Sequence, residues 1–358
     1  AIRAFGTSLH HGRTAAATSG RARALRLAGS FDEALNLYDQ VLAEFPANTT
    51  ALCGKSDVYR NLGRHDDAIT VSRSAIELAP FSVYPRASLI IALMESGKYL
   101  EALQAAIDTA EEFPNDERTA VYVVRALMRL GRHKDALVEA DQRLSKLAYA
   151  VNLQTIRCTV LHRLGNHHAA LAACDALLEE FPGHNRVLLT KAGILVSLGR
   201  SSAARPLLPA GTPKSQSDWR RFVLQAFVLS DEGRKSAAID HLTWGLQKCS
   251  FFVERKALRN ALVYLEIARK RWDRARRAVE QAAGETSAVV AFHAYAGSNR
   301  PARASEFYDR ILLDSGSPEI VHLAEEIAKR VHFSAGRPSR SPAWIERAQR
   351  DHIISQVI

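Results

Sequence analysis

Apolar and polar residues alternate with a helical period along most of the chain, and the pattern itself repeats. Between Ala51 and Leu62 apolar residues recur three and four positions apart, which is typical of an amphipathic helix. This helix is predicted to end at Gly63, because glycine readily takes the left-handed backbone that follows a helix. A second helix should begin at the acidic residues after the turn and run to about Leu78, where Pro80 stops it. The pattern therefore predicts two helices joined by a short turn.

Glycines recur every 34 residues, and an alanine stands five positions after each of them. The matched pairs are Gly29 and Ala34, Gly63 and Ala68, Gly97 and Ala102, Gly131 and Ala136, Gly165 and Ala170, Gly199 and Ala204, and Gly233 and Ala238. Prolines close four of these repeats, at Pro46, Pro80, Pro114 and Pro182. The two helices of a repeat must cross closely at the alanine, since a bulky side chain there would cost about 1–3 kcal/mol. A strict period of this length is typical of a solenoid.

This arrangement resembles the tetratricopeptide-repeat family. The residues that carry the resemblance are Tyr59, Leu62, Gly63, Ala68, Ala75 and Pro80, with their counterparts in the neighbouring repeats. The resemblance implies an all-α fold, a right-handed superhelical solenoid of antiparallel helix pairs, with about seven regular and two degenerate repeats. Pentatricopeptide repeats, which read RNA, are an alternative, but their usual period is one residue longer and the small-residue and proline pattern fits them less well.

The repeat pattern also predicts how the chain is divided. The predicted segments are a flexible basic N-terminal arm at 1–14, seven in-register repeats at 15–250, two degenerate repeats at 251–316, a capping helix at 317–335, and a basic linker with a short terminal helix at 336–358. Pro206 and Pro209 should shorten the second helix of the sixth repeat, so segment 210–218 is the best candidate for a sub-domain boundary. The terminal helix is expected to dock either back on the array or onto a partner.

Composition agrees with a helical, intracellular protein. Hydrophobic residues make up 47% of the 358 residues but aromatic residues only 7%, and alanine and leucine, which favour helices, dominate. Four cysteines lie far apart without a CxxC pair, which argues against a disulfide framework or a zinc site and favours a reducing compartment, the cytoplasm. Residues 1–31 contain arginine but no acid, which resembles an organellar import signal; a basic arm leading into the first helix is the other interpretation. No apolar run is long enough for a membrane span.

No catalytic motif is present. The sequence has no GxxxxGK[ST] phosphate loop, no GxSxG elbow and no HExxH pair. The histidine pairs His10-His11 and His167-His168 are adjacent, so their members cannot share one helix face as metal ligands do. We therefore predict a non-enzymatic protein without a cofactor or a metal ion.

The net charge of +10 favours an acidic partner, and the resemblance indicates where the charge lies. It implies that the first helix of each repeat lines a concave groove, so its inward positions become candidate partner-binding residues. They are Arg23, Arg26, Arg60, Tyr84, Arg118, Tyr122, Arg125, Arg129, Asn152, His162, Arg163, Arg186 and Arg220. Acids on this stripe are few, namely Asp57, Glu95 and Asp231. Either the groove binds carboxylates, or some of these arginines pair with acids on neighbouring helices.

Three functions follow from this reading. The leading hypothesis is a protein-binding scaffold or adaptor in which Arg118, Arg125 and Arg129 hold an acidic or C-terminal segment of a partner protein. The lysine and asparagine clamp of family members that grip chaperone C-termini is absent, so that partner class is not expected. The first alternative is a nucleic-acid-binding protein that uses the basic groove and a basic cluster at 255–277. The second alternative is a structural subunit of a larger complex that docks through its terminal helix.

Overall fold

The computed structural model describes residues 15–147, 150–213, 216–281, 286–298, 300–314, 318–333 and 343–357. Within these ranges the chain is helical and contains no strand, which confirms the predicted all-α class. The predicted N-terminal arm and the linker that follows residue 335 lie outside the described residues.

The first fourteen helices form seven successive antiparallel pairs. They are α1 (Ala15–Ala28), α2 (Phe31–Glu44), α3 (Thr49–Asn61), α4 (His65–Leu78), α5 (Val83–Ser96), α6 (Tyr99–Glu112), α7 (Glu117–Arg129), α8 (His133–Leu144), α9 (Val151–Arg163), α10 (His167–Glu180), α11 (Asn185–Ser197), α12 (Ser201–Ala204), α13 (Gln216–Asp231) and α14 (Lys235–Lys248). Six helices follow: α15 (Phe252–Ala268), α16 (Trp272–Glu280), α17 (Ala288–Gly297), α18 (Pro301–Asp314), α19 (Pro318–Phe333) and α20 (Ala343–Val357).

Each regular repeat turns through its glycine in a left-handed backbone conformation. All seven periodic glycines have φ between 72° and 88°. In the second repeat the Gly63 N–H donates to the Arg60 carbonyl at 3.0 Å and the Arg64 N–H to the Tyr59 carbonyl at 2.8 Å. These two bonds satisfy carbonyls that the end of a helix leaves open. Residues 250 and 252 pack against the first two of these turns, and a Cβ at Gly63 would lie 2.7 Å from the Phe252 ring.

The alanine five positions after each glycine lies where the two helices cross. All seven of these alanines are 0% exposed to solvent. A methyl group is the largest side chain that such a close crossing accepts without pushing the helices apart. The repeat pattern in the sequence is therefore a pattern of backbone conformation and of side-chain volume.

The eighth helix pair, α15 and α16, keeps the same turn without glycine. Lys270 takes the left-handed conformation with φ of 58°, and it is the one described residue other than glycine with a positive φ. Its N–H donates to the Ile267 carbonyl at 2.8 Å, and the Arg271 N–H donates to the Glu266 carbonyl at 2.9 Å. Ala275 fills the alanine position and is fully buried.

The sixth repeat has a short second helix, as its prolines predict. α12 contains four residues and continues into a 3-10 turn, Arg205–Leu207, which includes Pro206. The two flanking first helices nevertheless contact each other, and α13 also contacts α12. The interruption is therefore confined to the second helix of the pair.

The chain forms two compact units. The first comprises the described residues up to Ile156 together with Ser250–Phe252, and the second comprises Arg157–Cys249 with the described residues from Val253 onward. The division thus falls within α9 and not at segment 210–218, because contact between the first helices continues past the shortened helix. In the first unit Phe251 packs edge-on against Phe31, with ring centroids 5.6 Å apart.

The turn at Lys270 gives a test of the repeat geometry. Replacing Lys270 with glycine should raise the free energy of unfolding by about 0.5–1 kcal/mol, since glycine takes the left-handed conformation without the steric cost of a Cβ. Equilibrium unfolding in urea measures the change. Lys270→Ala is the matched control and should stay near the wild type, because alanine keeps the Cβ. Equal stability of the glycine and alanine variants would contradict the assigned backbone conformation.

Candidate functional site

The first helices of the first compact unit lie side by side, so their side chains form one surface. α1 contacts α3, α3 contacts α5, and α5 contacts α7. Six candidate arginines and two candidate tyrosines come from these helices at the positions that the sequence indicates: Arg23, Arg26, Arg60, Arg118, Arg125, Arg129, Tyr84 and Tyr122. Their surroundings differ, and the differences decide which of them can meet a partner.

Arg60 lies between two carboxylates. Its Nη1 is 2.7 Å from Asp57 Oδ1, and its Nε and Nη2 lie 2.9 and 3.2 Å from the two oxygens of Glu95. Asp57 also pairs with Arg26, whose Nη2 is 3.7 Å from Asp57 Oδ2. The Arg60 side chain is only 15% exposed, and those of Asp57 and Glu95 are 22% exposed. This cluster of Arg26, Asp57, Arg60 and Glu95, here called the ion-pair cluster, joins three first helices and carries no net charge.

The electrostatics of the ion-pair cluster extend to neighbouring side chains. Burial lowers the pKa of Arg60, but Glu95 and Asp57 outweigh burial and raise it above its ordinary value, so the guanidinium stays charged. Burial raises the pKa of Tyr84 to about 12, and the charge of Asp57 adds to the rise. Burial likewise raises the pKa of Tyr122, against the charges of Arg125, Arg118 and Arg60. Both tyrosines are therefore neutral hydroxyls near the arginines.

The arginines of the fourth repeat are more accessible. Arg118 bonds Asp116 through Nε at 2.9 Å and Nη2 at 2.5 Å, and its side chain is 57% exposed. The hydrogen bonds from Arg118 hold the pKa of Asp116 below its ordinary value. Arg125 is half-buried and Arg129 is exposed, as is Arg23 on α1. Arg23, Arg118 and Arg129 are therefore accessible to solvent, in contrast to Arg60.

Asn152 lies at the start of α9, next to the side chain of Glu117. Its Nδ2 lies 3.4 Å from Glu117 Oε2, and the Leu153 N–H donates to Glu117 Oε1 at 2.9 Å. A carboxylate at the N-terminus of a helix satisfies open N–H groups and complements the helix dipole. Asn152 therefore lies beside a cap that joins α7 to α9.

The remaining candidates lie in the second compact unit. His162 Nδ1 is 3.0 Å from His167 Nδ1, and the Ser197 hydroxyl is 2.8 Å from His162 Nε2. Burial, then the neighbouring charges of His167, Arg163 and Arg347, lower the pKa of His162 to about 4. Arg163 and Arg186 are half-buried, and Arg220 Nε is 3.4 Å from the buried carboxylate of Glu254. The thirteen candidates are thus distributed over both units.

Two ion pairs made by residues of the predicted groove could not be identified from the sequence. Asp116 stands just before α7 and holds Arg118, although it lies outside the stripe. Asp231, an acid of the stripe, accepts from Arg350 of the terminal helix α20. The charge of each residue was visible in the sequence, but its partner was not.

No group of three or more His, Cys, Asp and Glu side chains that could hold a metal ion occurs among the described residues. None of the four cysteines forms a disulfide and all are buried, and burial raises the pKa of Cys53 to about 12. A buried thiol of raised pKa is a poor nucleophile. No helix in the described ranges is both long and apolar enough to cross a membrane.

The family model described as "Tetratricopeptide repeat" matches residues 19–83 and 88–148. These ranges contain nearly all of α1 to α8, with four of the left-handed glycine turns and four of the buried alanines. The matched part of the chain is thus similar to tetratricopeptide repeats. Tetratricopeptide repeats support a protein-interaction scaffold in general, and the family is generally non-catalytic.

Two solved structures share the fold at low sequence identity. The APC/C hetero-tetramer Cut9–Hcn1 aligns with a TM-score of 0.53 and 17% identity, over 84% of this chain and 59% of that one. The human IFIT1 dimer with PPP-AAAA gives 0.51 and 16%, over 84% and 72%. A thermophilic tetratricopeptide-repeat protein of Thermus thermophilus gives 0.46 and 18%, over 51% and 100%. A search of curated protein sequences finds no match.

The ion-pair cluster should be important for stability. Replacing Arg60 with methionine removes the ion pair of Glu95 and leaves Asp57 only its longer contact with Arg26, in surroundings that solvate both carboxylates poorly. It should lower the free energy of unfolding by about 2–3 kcal/mol. Thermal and urea unfolding measure the loss. Arg132→Met is the matched control, since Arg132 makes a 2.6 Å contact with Asp135 in which both side chains are more than half exposed. That variant should change stability by about 0.5 kcal/mol or less, and equal losses in the two variants would contradict this assignment.

The His162 site predicts a dependence of stability on pH. The folded-state pKa of about 4 lies below the ordinary value of 6.5, so between these values the unfolded chain binds the proton more strongly. Stability should therefore fall as the pH falls, by about 2 kcal/mol from pH 7 to pH 5 for this group. His162→Gln should remove that part of the pH dependence in urea unfolding. His168→Gln, at the exposed neighbouring histidine, should keep it; a His162→Gln profile parallel to that of the wild type would disprove the assignment.

Proposed function

We propose that this protein is a binding scaffold whose first compact unit holds an acidic or C-terminal segment of a partner protein. The observation that carries the proposal is the unequal distribution of charge on the first-helix surface. Arg23, Arg118 and Arg129 are exposed on this surface. The carboxylates of Asp57, Glu95 and Asp116 are each paired and less than a quarter exposed. An excess of positive charge therefore faces solvent on a surface made from four helices.

Five arginines of this surface have two different roles in this proposal. Arg26 and Arg60 belong to the neutral ion-pair cluster and keep the first helices in register. Arg118, Arg125 and Arg129 are the residues that meet the partner, since they extend along one face of α7, on which Arg118 and Arg129 are exposed and Arg125 is half-buried. Arginine suits this role because its planar guanidinium binds a carboxylate through two parallel hydrogen bonds. Tyr84 and Tyr122, as neutral hydroxyls beside the arginines, supply further donors and apolar ring surface.

The basic cluster at 255–277 gives little support to nucleic-acid binding. Arg259 is buried, and Arg255 donates to the carbonyls of Leu246 and Cys249 at 3.1 and 3.2 Å. Arg276 contacts Glu280 at 2.6 Å. A surface that tracks a phosphate backbone needs several accessible cations in a row. Here part of the charge is used for contacts within the protein.

The proposal is tested with peptides of known chemistry. The immobilised full-length chain is incubated with two pools of random decapeptides, one rich in Asp and Glu and the other rich in Asn and Gln, and retained peptides are identified by mass spectrometry. We expect selective retention of the acidic pool. Reversing the charge of Arg118, Arg125 and Arg129 to glutamate should reduce retention at least tenfold, because loss of one desolvated charge contact costs about 2–5 kcal/mol.

The control is Arg132→Glu, which changes an exposed arginine of the same repeat that lies on the turn and outside the stripe. It should leave retention unchanged. Retention of the acidic pool by the triple variant at the wild-type level would refute the proposal. In parallel, binding of mixed DNA and RNA that falls with salt at a log–log slope of about −0.7 to −0.9 per phosphate contacted would favour the nucleic-acid alternative.

A further inference from the structure

The terminal helix α20 lies on the second compact unit. It contacts α11 and α13, the first helices of the sixth and seventh repeats, and also α19. Three of its isoleucines, Ile345, Ile353 and Ile354, are each at most 1% exposed. α20 therefore has a well-defined place on its own chain and covers first helices of the kind that carry the candidate binding surface.

Arg350 holds α20 at the C-terminal ends of both first helices. Its Nη1 donates to Asp231 Oδ1 at 2.9 Å, and its Nη2 donates to Asp231 Oδ2 and to the Val196 carbonyl, the latter at 2.8 Å. Asp231 is the last residue of α13, and Val196 is in the last turn of α11. A cation is favoured there because the helix dipole places negative charge at the C-terminus. The guanidinium also lies 5.5 Å from the centre of the Phe227 ring.

These contacts require arginine in particular. A planar guanidinium can bond both oxygens of one carboxylate, reach a carbonyl and lie over an aromatic ring at once, whereas an ammonium group offers no such fork. The preceding residue adds a second polar contact, since Gln349 Nε2 is 2.7 Å from His293 Nδ1 and both side chains are buried. The surface beneath α20 therefore recognises a pattern of arginine and glutamine between aliphatic residues.

The docking of α20 is incomplete in its polar contacts. Gln349 Oε1, Arg350 Nε and Asp351 Oδ1 are buried without a hydrogen-bond partner among the described residues. Burial raises the pKa of Asp351 to about 6, even though Arg163, Arg347 and Arg350 act in the opposite direction. Buried polar atoms without partners reduce the stability of a contact. A helix that lacks these defects would bind the same surface more strongly.

We propose that the surface of α11 and α13 is a helix-binding site that α20 occupies until a partner displaces it. The partner is an amphipathic helix of another protein that carries an arginine with aliphatic residues five positions before it and three and four positions after it. This pattern is that of Ile345, Arg350, Ile353 and Ile354. The site goes beyond the proposed function, because it uses none of the arginines of α7.

Displacement is physically reasonable for a helix of this length. α20 has 15 residues, and an isolated helix so short is only marginally stable in water. Its docking therefore depends on the contacts with α11 and α13 and on the high local concentration that the covalent connection provides. A free helix must compete against that local concentration. The intact chain should consequently bind such a helix much more weakly than a chain whose α20 has been released.

The experiment uses full-length chains and a fluorescein-labelled synthetic peptide of residues 343–358. Arg350→Gln should release α20 and increase hydrogen exchange in residues 343–357 at least tenfold, whereas Arg347→Gln, which changes the exposed arginine of the same helix, should change it less than twofold. By fluorescence anisotropy the peptide should bind the Arg350→Gln chain at least tenfold more tightly than the wild type. The same peptide carrying Arg350→Gln should not gain affinity.

A charge exchange separates release from misfolding. Asp231→Arg alone should release α20, and the double variant Asp231→Arg with Arg350→Glu should restore slow hydrogen exchange. Three results would overturn the proposal: unchanged exchange in Arg350→Gln, release without any binding of the added peptide, or equal binding of the peptide to the wild-type and released chains. A dimer of the wild-type chain in sedimentation, with α20 exchanged between two copies, would replace the partner by a second copy and would also overturn it.

Discussion

Two positions per repeat constrain this protein more than any others, one by backbone conformation and one by volume. A residue in the turn after each first helix must take a left-handed conformation, and the second helix then crosses the first at a methyl-sized side chain. Gly63 and Ala68 show the pair in its regular form. At Lys270 the glycine is gone but the conformation is kept, because helices α15 and α16 can pack only if the chain reverses there in the same way. The left-handed turn is therefore kept even in a repeat where glycine is absent.

The fold could be predicted from the sequence because these constraints are local. Glycine, alanine and proline each restrict the backbone or the packing within a few residues, so their spacing predicted the helix pairs, and Pro206 predicted the short α12. The pairing of charges could not be predicted in this way. Arg60 and Glu95 are 35 residues apart, and their contact depends on how neighbouring repeats stack. The sequence showed which acids lie on the stripe, but it did not show which arginine each of them would pair with.

Burial, more than distance, separates the structural arginines from the candidate binding residues. Arg60 and Arg132 both approach carboxylates at less than 3 Å, yet only Arg60 is removed from solvent. A charge that is shielded and paired stabilises the array, whereas an accessible one can exchange its partner for a ligand. The same distinction applies to α20, whose position the sequence left open because a linker does not determine where the helix after it docks. Arg350 and the three buried isoleucines determine it.

The packing of Phe251 against Phe31 has a consequence for biosynthesis. The two rings are 220 positions apart in the chain but form part of one compact unit. At a translation rate of roughly 5–20 residues per second, the ribosome adds the second phenylalanine about 11–44 s after the first. Until then the N-terminal repeats of the nascent polypeptide expose an aromatic side chain that the finished protein buries. The repeats around Phe31 are thus completed late, and in that interval they offer an apolar surface to chaperones.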